Sequence, residues 1–271
     1  MDRHDVPPAH VDSSLQYGLG SSPADHDTLP SLPFPDAVQQ LVDDRSPFVL
    51  TLGDAHCGPM EHDAAGFAAL QISLARSIGV PYEQVAGSAD TVIQDVFPDE
   101  HLLDAPNTSA GAHAPFGFHS DKSCSAHRGG SPDWVTLACV RNSERSATRV
   151  ASLHAIARTL DPATEESLAA PTFRFGSDSS NVGPILTRDA RGRLRIRLST
   201  DMTPLTPAAT DAYDALTQAV AAVAEDVVLA PGDILFLPNW ACVHGRTAFT
   251  PHPEPSERRL LHRIYIRAAA A

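Results

Sequence analysis

The run Trp134-Val135-Thr136-Leu137-Ala138-Cys139-Val140 constrains this chain most. It is rich in aromatic and β-branched residues, which fit a pleated, buried surface. Similar short runs recur at Phe48–Leu52, Thr91–Val96, Pro115–Ser120, Phe173–Phe175, Leu194–Leu198, Val227–Leu229, Ile234–Leu237 and Leu260–Arg267. Turn residues separate them. Pro115–Ser120 and Trp134–Val140 read as a strand pair. Val227–Leu229 and Ile234–Leu237 read as two strands around the tight turn Pro231-Gly232-Asp233. Helical spacing is expected over Asp36–Val42, Asp63–Ile78, Ala147–Leu160 and Pro207–Ala224. In the second of these, Phe67, Leu70, Leu74 and Ile78 form the apolar face, with Gly79 as the residue past the end and Pro81 as a stop. Many short strands with a few helices predict an α+β chain with a mainly β core, a barrel or sandwich with helices packed outside.

No internal repeat divides the chain, so residues 33–271 read as one domain. Residues 1–32, rich in Pro, Ser, Asp and Gly, read as a flexible N-terminal arm. The polar, Gly-containing stretch between the short strands of 165–205 is expected to form an active-site lid. A length of 271 residues is ample for a core without disulfide staples. Twenty basic residues against 33 acidic ones give a net charge of −13, which argues against nucleic acid or an anionic membrane as partner. No apolar run reaches the ~18–20 residues of a membrane span, and Met1–Leu15 lacks a signal-peptide core. The four cysteines (Cys57, Cys124, Cys139, Cys242) stand far apart without C-x-x-C, so a disulfide framework or zinc ribbon is not expected and a cytoplasmic location is. A monomer is the default.

The chemistry concentrates at three residues. His119-Ser120-Asp121 is an H-x-D pattern at a strand end, and alternation puts i and i+2 on one face. His244 follows another strand, in Val243-His244-Gly245-Arg246. Two histidines and one carboxylate make the facial triad that suits Fe(II) and leaves positions open for substrate and O2. Such a centre needs a two-electron donor. 2-Oxoglutarate chelates iron through its keto-acid end, and its far carboxylate then needs a forked cation, which Arg supplies better than Lys. Arg258-Arg259-Leu260-Leu261-His262-Arg263 offers one; alone it reads rather as a basic edge strand, and the H-x-D and His244 reverse that preference.

Three stretches carry a family resemblance: Leu229–Phe236, His244-Gly245-Arg246-Thr247-Ala248-Phe249, and Leu261-His262-Arg263-Ile264-Tyr265-Ile266-Arg267. Val92–Pro98, Phe118–Asp121, Asp133–Cys139 and Glu144–Leu153 extend it over residues 80 to 267. In order and spacing these stretches resemble clavaminate synthase and the related oxygenases of free asparagine and arginine. The resemblance implies a double-stranded β-helix (jelly-roll) core with flanking helices, Fe(II), 2-oxoglutarate and O2. It implies His119, Asp121 and His244 as metal ligands and Thr148 as a 2-oxoglutarate contact; alone, Thr148 reads as a helix cap. For the 2-oxoglutarate arginine, counting forward from His244 selects Arg258 and counting back from Leu261-His262-Arg263 selects Arg259, the preferred of the two. Arg259 and Arg263 then share a face, with Arg263 implied to hold a substrate carboxylate. Asp201 resembles a lid acid for an amine or guanidine, reading otherwise as a turn residue before Pro204. Ser109 stands where relatives place polar substrate contacts, and Tyr265 is open between site and core.

This branch usually carries Glu where Asp121 stands, and Asp still binds iron. The implied activity is hydroxylation of an unactivated C–H in a free amino acid or a small molecule derived from one, in specialised metabolism such as antibiotic biosynthesis. Oxidative cyclisation or desaturation at the same centre is the alternative within that chemistry. A cupin-like metal-binding protein and a zinc hydrolase are the readings outside it.

Overall fold

The computed structural model describes residues 9–13, 34, 36–52, 64–82, 92–128 and 130–269. Of the arm expected over 1–32, Ala9–Ser13 forms strand β1; the rest lies outside the described residues, as do Asp63 and Thr91. The chain continues through α1 (Asp36–Asp43), β2 (Phe48–Leu52), α2 (Ala64–Arg76), β3 (Gly79–Tyr82), β4 (Ile93–Val96), β5 (Phe116–His119), β6 (Trp134–Arg141), β7 (Thr148–Ser152), α3 (Leu153–Ala157) and α4 (Pro162–Ala169). Five short strands follow: β8 (Phe173–Phe175), β9 (Val182–Gly183), β10 (Leu186–Arg188), β11 (Leu194–Ile196) and β12 (Met202–Pro204). Then come α5 (Pro207–Val223), β13 (Glu225–Val227), β14 (Asp233–Pro238), β15 (Cys242–Arg246) and β16 (Leu260–Ala268).

Two sheets organise the molecule. The larger has the order β1-β2-β14-β6-β16-β3, with β4 also paired to β16; the smaller is β13-β7-β15-β5. Apart from the parallel β1–β2 pair, the pairings within both sheets are antiparallel. Period-2 alternation sorts the side chains into three cores. Val49, Leu137, Leu235 and Leu261 from the large sheet meet Val150, Val227 and Cys242 from the small one, so the sheets pack face to face. Phe48, Leu50, Trp134, Phe236 and Ile264 point the opposite way and meet Phe67, Leu70 and Leu74 of α2. On the far side of the small sheet, Ala151 and Val243 meet Leu216 and Val220 of α5, together with Phe173 and Ile196 of the short strands. Helices thus cover both outer faces, and the mainly β, α+β architecture expected from the runs is present.

Four local expectations are corrected. Ala147–Leu160 is not one helix: Thr148–Ser152 is strand β7, and only then does Ser152 cap α3, its Oγ accepting from Ala155 N–H at 3.2 Å. Pairing to β13 and β15 on both sides overrides the helical spacing there. Gly79 starts β3 rather than ending α2. It is required because a Cβ there would run into the carbonyl of Arg267 on β16. The turn around Pro231-Gly232-Asp233, where Gly232 has φ +93°, carries the chain from one sheet to the other instead of closing a hairpin. β5 and β6 likewise lie in different sheets.

Candidate metal centre

His119 is the last residue of β5, and Asp121 sits in the turn just beyond it. His244 lies in the middle of β15, directly opposite His119 in the ladder. Alternation turns both imidazoles toward the space between the sheets, and their ring centroids lie 4.5 Å apart. One ligand atom from each of His119, Asp121 and His244 falls within 4.8 Å of the others, and all three residues are buried. Past His244 the pairing slips, so that Arg246 faces Phe116 across a bulge. Bulges beside a site re-aim side chains. Gly245 is what lets the two strands close here, since a Cβ would sit 2.5 Å from the Phe116 carbonyl.

Neighbouring groups orient the donors. His119 Nδ1 lies 2.9 Å from the Gly117 carbonyl; a carbonyl only accepts, so Nδ1 carries the proton and Nε2 keeps its lone pair. Nε2 stands 3.3 Å from Asp121 Oδ1, and His244 Nε2 stands 3.9 Å from the same oxygen. The turn at Asp121 is clamped from three sides. Its N–H donates to Asn239 Oδ1 (2.7 Å), and its carbonyl accepts from Asn239 Nδ2 (3.1 Å) and Ser131 Oγ (3.0 Å). Arg263 Nη1 donates to Asp121 Oδ2 at 3.4 Å. Burial alone would raise the Asp121 pKa. The Arg263 charge, the His119 hydrogen bond and the histidine charges outweigh it and hold the carboxyl well below the usual range. Burial, reinforced by His119, pushes His244 down to about 3. At neutral pH the set is therefore one carboxylate and a neutral His244, the protonation states that ligation requires. A 2-His-1-carboxylate set of this kind fits a divalent iron.

His119 and His244 line a solvent-connected cavity of about 400 Å³ between the sheets. Its walls include Val96, Phe116, Leu137 and Leu261, and its polar lining includes Ser109, Thr148, Arg246, Arg259 and Arg263. Two residues that competed in the sequence now separate. Arg259 is buried in the cavity wall. Arg258 turns outward, with Nη1 3.0 Å from Glu100 Oε1 and Nε donating to the His252 carbonyl. Burial brings Arg259 down to about 10, and the nearby Arg246 charge adds to this. Its Nε is buried without a partner, and its backbone N–H donates to Glu144 Oε1 at 3.2 Å. Arg263 of β16 reaches the same cavity, and its Nη2 also donates to Gln94 Oε1 at 2.6 Å. Tyr265 faces the same way; burial raises its pKa, and the neighbouring Asp121 carboxylate adds to that rise. Ser109, half-buried in the loop before β5, lines the cavity. Asp201 stands outside that lining and is exposed, its N–H held by Ser199 Oγ at 3.1 Å and its carbonyl by Gly176 N–H at 2.7 Å.

Gln94, Asn239 and Arg246 belong to this neighbourhood without having been assigned roles from sequence. Arg246 had an available signal, since two residues past His244 on a strand it must share that histidine's face. Asn239 and Gln94 had none, because their partners are fixed only by tertiary packing.

The chain is 28% identical over 214 residues to L-asparagine oxygenase from Streptomyces coelicolor, a match covering 75% of this chain and 62% of that protein. It is 29% identical over 225 residues to clavaminate synthase 2 from Streptomyces clavuligerus, covering 77% of this chain and 66% of the relative. The chain therefore spans slightly less than two thirds of the length of these relatives. A crystal structure of asparagine oxygenase shares the fold with a TM-score of 0.74 at 24% identity, covering 87% of this chain and 80% of that one. Residues 65–265 match the family described as taurine catabolism dioxygenase TauD, TfdA. That match takes in the small sheet, the large sheet apart from β1 and β2, the His-Asp-His set, Arg259 and Arg263, and the chain belongs to the TauD/TfdA dioxygenase family.

Proposed function

We propose that this protein is an Fe(II)- and 2-oxoglutarate-dependent oxygenase that hydroxylates an unactivated C–H of a free amino acid or an amino-acid-derived small molecule in specialised metabolism. One observation carries this reading: a buried His119/Asp121/His244 set whose histidines line a cavity that is also lined by Arg259, whose buried Nε has no partner. A cupin-like metal-binding protein has no use for that arginine, and metal content together with oxygen dependence separates a zinc hydrolase. The facing sheets are read as a double-stranded β-helix within one domain over 33–271, preceded by the arm 1–32 and carrying a lid insertion at 165–205. The enzyme is read as cytoplasmic and monomeric, acting on a small molecule. The free thiols of Cys124, Cys139 and Cys242 agree with a reducing compartment, and no helix among the described residues is long and apolar enough to cross a membrane.

Fe(II) with 2-oxoglutarate, when bound, supplies the two-electron oxidation by O2 that breaks a C–H bond. The remaining work falls to the chain. His119, Asp121 and His244 would hold the metal, and both histidines line the cavity where substrate would enter. Arg259 and Thr148 fix the far carboxylate of 2-oxoglutarate, the arginine by charge and the threonine by its hydroxyl. Val96, Phe116, Leu137 and Leu261 keep water away from the space between. Arg263, with Ser109, orients the substrate by its carboxylate. That contact requires the guanidinium to exchange part of its present bonding to Asp121 and Gln94. Asp201 reaches a substrate amine or guanidine only if its loop moves toward the cavity.

The test is anaerobic addition of Fe(II) and 2-oxoglutarate to metal-free protein. A weak visible metal-to-ligand charge-transfer band is expected, lost in His119→Ala and strongly weakened in Arg259→Gln but kept in Arg258→Gln. Amino acids are then screened for a shift of that band and for substrate-dependent succinate release. Metal bound with no band would overturn the oxygenase reading.

A further inference from the structure

The same cavity holds a second buried arginine. Arg246 is 5% exposed and lies two residues past His244 on the inward face of β15, directly opposite Thr148 of β7. Its bonds are long and all run to neutral acceptors: Nη1 to the carbonyls of Ala112 and Thr247 at 3.4 Å each, and Nη2 to that of Ala114 at 3.2 Å. Its Nε, like that of Arg259, is buried without a partner. The Phe249 ring, 4.9 Å from the guanidinium carbon, holds it in place. The two cations are close enough for Arg246 to depress Arg259, and burial alone brings Arg246 down to about 10. The described residues lining the cavity include no acid. The Glu144 carboxylate, which holds the Arg259 backbone N–H, offsets the Arg259 charge only in part. Two desolvated guanidinium groups that repel one another, each with an unused donor, therefore favour a bound anion.

We propose that Arg246 is the second half of a two-arginine clamp, sharing the far carboxylate of the co-substrate with Arg259 across from Thr148. The proposal rests on the reading of 2-oxoglutarate as co-substrate. It adds a role for Arg246 on the loop side of the cavity. The carbonyls of Ala112 and Ala114 belong to the end of the loop that carries Ser109, and Phe249 N–H also donates to Ala112 O at 2.9 Å. A carboxylate held by Arg246 is therefore tied through one side chain to the backbone that positions Ser109. Arg246 binds co-substrate directly and acts on the substrate loop as a positioning residue.

Calorimetric binding to the Mn(II)-loaded protein tests this, with two ligands. 2-Oxoglutarate has the far carboxylate, whereas 2-oxobutanoate keeps the keto-acid end and lacks it. Arg246→Gln is expected to weaken 2-oxoglutarate by about 10- to 100-fold, the scale of a lost charge-assisted hydrogen bond. Arg246→Lys, which keeps the charge and loses the fork, should fall between the two. Affinity for Mn(II) and for 2-oxobutanoate should stay within about twofold in both variants, which a general loss of structure would not allow. Unchanged 2-oxoglutarate affinity, or an equal loss for both ligands, overturns the clamp. Wild-type protein that binds Mn(II) but not 2-oxoglutarate overturns the co-substrate reading and the clamp with it, an outcome visible before any variant is made. Should neither variant fold, the ¹⁵N-labelled wild type decides. Nε–H signals of both Arg246 and Arg259 should shift with 2-oxoglutarate and not with 2-oxobutanoate, and movement of Arg259 alone overturns the proposal.

Discussion

Asn239 shows how much of a metal site is held by residues that never touch the metal. Its buried amide satisfies both backbone groups of Asp121 and the Pro132 carbonyl at 3.0 Å. Asn239→Ala leaves the Asp121 N–H without its partner and removes a donor from the Asp121 and Pro132 carbonyls, the former keeping Ser131 Oγ, which predicts a loss of about 1–3 kcal/mol in urea denaturation. The freed turn should also weaken Mn(II) binding by about tenfold or more, measured by titration of the apo-protein. At this scale the ligands themselves were legible in the sequence. His119 and Asp121 are adjacent in the chain, and His244 has a motif around it. The choice between Arg258 and Arg259 was not legible, because the length of the loop over 250–257 is free. It is settled by the short turn Pro255–Glu257 that leads into β16, after which Arg258 turns to Glu100 and Arg259 into the cavity. Asp201 was equally unreadable, since its reach depends on how the segment around Ser199 packs against Gly176 and Cys124.

Strands place these residues, and two elements make the dependence measurable. β5 and β15 approach so closely at Gly245 that an added methyl has no room. Gly245→Ala is therefore expected to push the strands apart at the bulge, at a cost of about 1–3 kcal/mol. His119 and His244 would separate with them, and Mn(II) affinity should fall even where the variant remains folded. The second element is α2, whose Gln71 Nε2 lies 3.1 Å from His262 Nδ1 on the outer face of the large sheet. Burial lowers the His262 pKa, and Asp95, 3.5 Å away, only partly opposes this. Below pH ~6.5 the unfolded chain therefore binds a proton that the folded one refuses, and stability is lost as pH falls from there toward the folded pKa. The urea midpoint should drop between pH 7.5 and 5.5, and by less in His262→Gln. Strand positions were largely legible as apolar runs, but sheet membership was not. Periodicity says which face a residue takes and is silent on which strand lies beside it, so β5 and β6 read as partners. β7 read as helix because Ala151, Ala155 and Ile156 suit either state until β13 and β15 supply hydrogen bonds.

Across the whole molecule, the site is divided between the sheets. His119, Thr148, His244 and Arg246 belong to the small sheet, while Arg263 belongs to the large one and Arg259 directly precedes its strand β16. The apolar contacts between Val150 and Val227 on one side and Leu137 and Leu261 on the other hold the sheets together without any covalent tie among the described residues. Under the proposed function, metal and co-substrate would be gripped from opposite walls. Ligands that bind only the native state stabilise it by mass action, ~2.7 kcal/mol at a hundred times the dissociation constant. Mn(II) with 2-oxoglutarate should therefore slow amide exchange in β7, β15 and β16 together, whereas Mn(II) alone should slow chiefly β5 and β15. The loaded pair would behave as a rivet through two plates: a cell short of iron or of 2-oxoglutarate would hold a looser protein, more open to proteolysis, so that supply of the reagents would set the lifetime of the enzyme as well as its rate.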